Sequence, residues 1–142
     1  MLVPDSLRAL PEHAVARLGT LRLRHVESVR AVAFSADGKK LLSGGNDGVV
    51  REWEVETGRE LRALTGHQGP VLGVAMADRK TVSCGVDRTA RSWESKESFK
   101  SREWLHAVAI APDGRVAYAG DDSAIHAGGA VLEGHKGRVA SL

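Results

Sequence analysis

Residues 31–53 read AVAFSADGKKLLSGGNDGVVREW. Apolar runs around Val32–Phe34, Leu41–Leu42 and Val49–Val50 are separated by Asp37-Gly38 and Asp47-Gly48. Asp-Gly closes a tight hairpin because Gly accepts the positive φ that the turn demands. The runs are too short for helices and rich in β-branched residues, so they read as strands joined by turns. Working outward, VRAVAF (29–34), KLLSGG (40–45) and VVREWEV (49–55) are followed by the turn ETG and a fourth run, RELRAL (59–64).

This unit recurs. His25 and Val32 reappear as His67 and Val74, each 42 residues on, and Ser43, Asp47 and Trp53 reappear as Ser83, Asp87 and Trp93, each 40 on. A degraded third copy, LHAVAIAPDGRVAYAGDDSAIHAGG (105–129), follows with Val108 only 34 residues after Val74. GHKGRVASL (134–142) then matches GHQGPVLGV (66–74), the opening of a fourth. Four turn-separated strands per roughly 40 residues is the pattern of a propeller blade. Residues 1–17 differ: Leu7, Leu10, Val15 and Leu18 have helix-like spacing, and the segment reads as a linker or short helix. LGTLRLRH (18–25) alternates like a strand. The chain therefore divides into this N-terminal segment and a propeller segment, 18–142, with repeats at about 25–66, 67–104 and 105–134 and the start of another at 135.

Over roughly residues 18–142 the sequence resembles the tryptophan–aspartate (WD) repeat family, most closely at 31–53, where it is similar to bacterial members. The resemblance implies an all-β fold, a WD-repeat β-propeller of about three four-stranded blades plus partial strands, forming an incomplete ring. Each repeat would supply strand d of one blade and then a, b and c of the next. It also implies a buried hydrogen-bonded tetrad in each blade: His25, Ser43, Asp47 and Trp53 in the first, and His67, Ser83, Asp87 and Trp93 in the second.

Several positions depart from the family's pattern. Arg24 precedes His25 where Gly is usual, and Glu54 and Glu94 follow the Trp residues in place of Asp. Glu52 and Ser92 stand at a normally aliphatic position of strand c, which predicts weaker packing between blades. In the third copy Tyr118 takes the Ser position and Gly128 the Trp position, Glu103-Trp104 is the nearest match to Gly-His, and only Asp122 survives of the tetrad. Strand d ahead of the first blade and VASL at 139–142 bring the expected total to fourteen strands. Open blade edges of such an arc would invite self-association.

Composition narrows the function. Twenty basic and 18 acidic residues are interspersed, for a net charge of +2, and no basic stripe stands out, so no nucleic-acid partner is expected. No apolar run approaches the ~18 residues a membrane helix needs, and no membrane partner is expected. One cysteine, Cys84, excludes an intrachain disulfide framework, and a cytoplasmic location is expected. The six His residues show no ligand-type pairing, so neither metal nor cofactor is expected. Ser83, His67 and Asp87 superficially suggest a nucleophile triad, but the same residue types recur in the first copy and no Gly-x-Ser-x-Gly elbow is present. No catalytic residue is assigned.

What remains is surface. In the resembled family the d–a and b–c loops gather on the top face, and loops on a rigid scaffold commonly bind partners. Glu27, Asn46, Gln68, Val86 and Asp121 occupy such loops and differ between copies, as residues that read a partner are free to do. The expected function is a non-enzymatic scaffold that binds a protein or peptide. The alternatives are a regulatory or targeting propeller segment of a larger multidomain enzyme, or a truncated fragment without autonomous function.

Overall fold

The computed structural model describes residues 25–142. The expected linker or helix at 1–17 and nearly all of the strand expected at 18–25 lie outside the described residues. Twelve strands follow one another: β1 (Val29–Phe34), β2 (Lys40–Gly45), β3 (Val49–Glu54), β4 (Glu60–Thr65), β5 (Val71–Ala77), β6 (Lys80–Gly85), β7 (Thr89–Ser92), β8 (Glu97–Lys100), β9 (Leu105–Ile110), β10 (Val116–Gly120), β11 (Ile125–Ala127) and β12 (Ala130–Leu132). They form three antiparallel four-stranded sheets in simple sequential order, β1 to β4, β5 to β8 and β9 to β12. Each sheet is a meander. Its b–c turn and the connection from the preceding sheet therefore lie at one end, called top here, and its a–b and c–d turns lie at the other.

The sheets stack face to face through their inner strands, with β5 packed against both β1 and β9. Alternation along each strand decides which residues meet. Leu42 and Val50 of the first sheet enclose a cluster with Val71 and Val74 of β5, against which Met76 and Trp93 also pack. Val82, Cys84 and Ala90 of the second sheet pack likewise against Leu105, Val108 and Val116 of the third. The inner strand has little room: a Cβ on Gly73 would lie 2.8 Å from the Cys84 sulfur and 3.2 Å from the His106 carbonyl oxygen.

The arc is open. Val32, Val74 and Val108 hold the same position in the three inner strands, opposite Ser43, Ser83 and Tyr118. Val74 and Val108 are 9% and 8% exposed, whereas Val32 is 62% exposed and its neighbour Phe34 61%. That face of the first sheet is uncovered at Val32 and Phe34. At the other end VASL does not form the expected inner strand. Without strands b and c beside it there is no ladder to join. Val139 alone is seated, its amide donating to the Gly120 carbonyl at 3.0 Å and its side chain buried.

Glu52 does not simply weaken the junction between the first two sheets. Its carboxylate, 3% exposed, is held by Lys40 at 2.8 Å and Arg62 at 2.5 Å. Arg62 extends from β4 into the second sheet, donating to the Thr81 hydroxyl at 2.9 Å and the Glu94 carboxylate at 2.8 Å. Burial disfavours ionised Glu52, but the two cations outweigh it and hold its pKa below the usual carboxylate value. An ion-pair clasp thus occupies the place of an aliphatic contact.

Leu42→Ala should destabilise the protein by about 2–5 kcal/mol in urea denaturation, the range for a fully buried leucine. Phe34→Ala should cost less than about 1 kcal/mol, because its ring is already in water. Equal losses would show that the first sheet's outer face is covered.

Candidate functional site

The two complete tetrads have closely similar geometry. In the first sheet His25 Nδ1 lies 3.0 Å from Asp47 Oδ1, His25 Nε2 lies 2.7 Å from the Ser43 hydroxyl, and Trp53 Nε1 donates to that hydroxyl at 2.7 Å. In the second, His67 Nδ1 lies 2.9 Å from Asp87 Oδ2, His67 Nε2 lies 2.8 Å from the Ser83 hydroxyl, and Trp93 Nε1 donates to it at 2.9 Å. Each His ring also meets its Trp edge-on, with centroids 6.5 and 6.0 Å apart. The aspartates accept further from the tight turns they begin, from the Val49 and Thr89 amides at 3.1 Å. One network thereby ties strands b and c, the b–c turn and the segment leading into strand a.

The proton positions follow from the donors. Indole N–H can only donate, so the serine oxygen accepts and its own proton points to His67 Nε2. His67 then carries its proton on Nδ1, facing Asp87. Burial lowers the His67 pKa and outweighs the pull of Asp87, in agreement with a neutral ring. Burial opposes ionised Asp47 too, but bonds from His25 and Arg51 outweigh it and bring its pKa to about 2. Asp87 is shifted down in the same sense, the Gln68 amide and His67 overcoming its burial. The Asp87–His67–Ser83 chain has the connectivity of a nucleophile triad, but Ser83 is 0% exposed and already accepts from Trp93. It offers a substrate no access. Cys84 is equally enclosed, and burial pushes its thiol up to about 12.

The third sheet is built differently. Tyr118 lies opposite Val108 and His126, as Ser83 lies opposite Val74 and Arg91. Its ring stacks on His126 at 5.0 Å and on Phe99 of the second sheet at 5.8 Å. Asp122 bonds His126 at 2.7 Å. The nearest match to Gly-His is not Glu103-Trp104. The Trp104 carbonyl accepts from Asp121 N as those of Ser28 and Pro70 accept from Asn46 N and Val86 N, which places Ser101 where His25 and His67 stand.

Those same bonds put Asn46, Val86 and Asp121 at equivalent points on the top end. Each inner strand carries a bulge there, leaving Arg30, Leu72 and His106 as the extra residues. A bulge re-aims the side chain it carries. Arg30 Nε donates to Asn46 Oδ1 at 2.7 Å, and His106 Nε2 lies 3.0 Å from Asp121 Oδ1. Leu72 and Val86 hold these two positions in the second sheet, so an apolar pair stands between two polar ones. Glu27 and Gln68 are exposed on the loops alongside, and Gln68 donates its amide to Asp87 at 3.1 Å. Sequence reasoning missed Arg30, Leu72 and His106, although each lies two residues before a repeat marker, Val32, Val74 or Val108. It also missed Trp104, which is 51% exposed at this end. Among the described residues no three His, Cys, Asp or Glu side chains converge as a metal would need, and no helix is long and apolar enough to cross a membrane.

Stacked four-stranded meanders with buried His–Ser–Trp networks define a β-propeller segment. The WD domain, G-beta repeat family matches residues 17–54 and 58–94, and the chain belongs to it. Among curated proteins it is 30% identical over 117 residues to the periodic tryptophan protein 2 homolog of Mus musculus, covering 76% of this chain and 13% of that protein. It is 35% identical over 109 residues to ribosome biogenesis protein YTM1 of Saccharomyces cerevisiae, covering 75% and 22%. The crystal structure of the RRP9 WD40 repeats superposes with a TM-score of 0.72 at 25% identity, covering 81% of this chain and 39% of that one. The chain thus spans less than a quarter of the length of either curated relative. Both are eukaryotic, and they lend no support to a bacterial affinity.

Trp53→Ala should cost about 3–5 kcal/mol in chemical denaturation, as for a buried aromatic, and a loss below about 1 kcal/mol would remove the tetrad from the core. Folding lowers the pKa of His67, Asp47 and Asp87, so the unfolded chain binds protons more readily and acid destabilises. The contribution of His67 is complete above its ordinary pKa of 6.5 and is lost as pH falls; that of the aspartates is lost below 3.8. The thermal midpoint should therefore decline in two stages, and His67→Gln should abolish the first.

Proposed function

We propose that this chain is a non-catalytic interaction module that binds a protein or peptide across the top end of its blades. One observation carries the reading. The bulges and the backbone bonds of the b–c turns place three residue pairs, Arg30 with Asn46, Leu72 with Val86 and His106 with Asp121, at equivalent positions but with different chemistry. A scaffold that repeats its frame and varies what it presents is suited to reading a partner. The apolar Leu72–Val86 pair and exposed Trp104 supply anchors, and the polar pairs form a rim, as at protein interfaces. The mixed charge of that rim favours a protein over a nucleic acid.

The relative named for ribosome biogenesis supports placing the partner in an assembly of that kind. A reducing compartment such as the cytoplasm is the proposed location, on the strength of one fully buried thiol.

Quantitative cross-linking of the full chain in cells tests the reading. Leu72→Asp with Val86→Asp should remove the cross-linked partners while leaving the thermal midpoint within a few degrees. Glu97→Lys, on the outer strand β8, should keep them. Retention of every partner by the double variant would contradict the top-end site.

A further inference from the structure

The third sheet departs from its neighbours at the bottom end. β11 and β12 are joined by Gly128-Gly129, both at positive φ (55° and 90°), so strand c turns back where the other repeats carry Trp53 and Trp93. Two adjacent glycines permit this turn because both central residues need φ > 0. No indole fills the space beside this hairpin. A cleft of about 410 Å³ opens there, between the second and third sheets. That volume lies in the range of small-ligand sites.

The lining is specific. Phe99, Tyr118 and His126 form a continuous stack, with interplanar angles of 28° and 10°. Lys80 and Arg115 stand on the rim, and none of the lining residues is a carboxylate. Lys80 Nζ is anchored on the Gly114 carbonyl at 2.7 Å. The Arg115 side chain, 70% exposed, donates through Nε to the exposed Asp113 carboxylate at 2.7 Å and runs beside Gly128, where a Cβ would lie 3.2 Å from Arg115 Cδ. Aromatic walls favour a flat ring, which stacks or meets them edge-on. Lys80, bonded only to a neutral carbonyl, favours negative charge beside that ring, and Arg115 can exchange its exposed Asp113 partner for another carboxylate because such surface pairs are weak.

We propose that this cleft is a second binding site, which takes an aromatic side chain flanked by carboxylates on an acidic peptide segment. The aromatic ring occupies the room that the absent tryptophan leaves, and the flanking carboxylates face Lys80 and Arg115. The site lies at the end opposite the Leu72–Val86 surface and does not depend on that reading.

The test uses the full chain, labelled with nitrogen-15, and three blocked tripeptides: Asp-Trp-Glu, Lys-Trp-Lys and Asp-Ala-Glu. Asp-Trp-Glu should shift the amides of Tyr118, His126 and Gly128 and leave Asn46 and Val86 unmoved. The other two peptides should bind roughly tenfold more weakly, a difference of about 1.4 kcal/mol. Arg115→Glu, at a solvent-exposed side chain, should weaken Asp-Trp-Glu by a similar factor and improve Lys-Trp-Lys. Lys80→Gln provides an independent variant with the same expected loss for Asp-Trp-Glu. Equal affinity for all three peptides, shifts at the top end instead, or no shift at about 10 mM peptide would overturn the proposal.

Discussion

A buried indole N–H must find an acceptor, and in the first two repeats that acceptor is a serine hydroxyl on the neighbouring strand. Much follows from this bond. In the second repeat, once the serine oxygen accepts, its proton goes to the neutral His67, the other N–H of His67 goes to Asp87, and Asp87 takes up amides at the turn. A chain of this kind is strong when every member is satisfied and costly when one is missing. It fixes strands b and c against each other and holds the top-end turn rigid enough to present Asn46 or Val86 in a defined direction. Stability and recognition are thus served by one network, seen from its two ends.

The third sheet shows what replaces the network when its members are lost. Tyr118 cannot accept an indole bond at a site that has no tryptophan, so it turns its ring to Phe99 and His126. Packing against the second sheet, through Leu105 and Val108, supplies the burial. The outer strands shrink to three residues each, and the hairpin between them leaves a cleft. A lost structural interaction has created room for a ligand.

Most of the architecture was legible because the repeat markers sit at fixed spacing and the turns use Asp-Gly. The four strands of the first repeat and the first strand of the second fall where apolar runs and turn residues place them. The partners of Glu52 were not legible. An acid at an aliphatic position reads as a defect until Lys40 and Arg62, 12 residues before it and 10 after, are brought to it by the antiparallel register. The bulged residues Arg30, Leu72 and His106 were missed for a related reason: a bulge is a feature of pairing, and pairing is visible only between strands. The VASL strand failed because one strand's sequence cannot supply its neighbours. For Glu103-Trp104 the third copy is shortened, and similarity of letters pointed three residues away from the position that the backbone bonds define.

The indole–serine bond acts as part of a coupled network and is not one contact among many. A double-mutant cycle on Trp93→Phe and Ser83→Ala measures this most directly, since it removes the donor and the acceptor separately and together while keeping most of the packing. The network predicts a coupling energy of about 1 kcal/mol or more, within the range for residues that share a hydrogen-bonded network. A coupling indistinguishable from zero would contradict it.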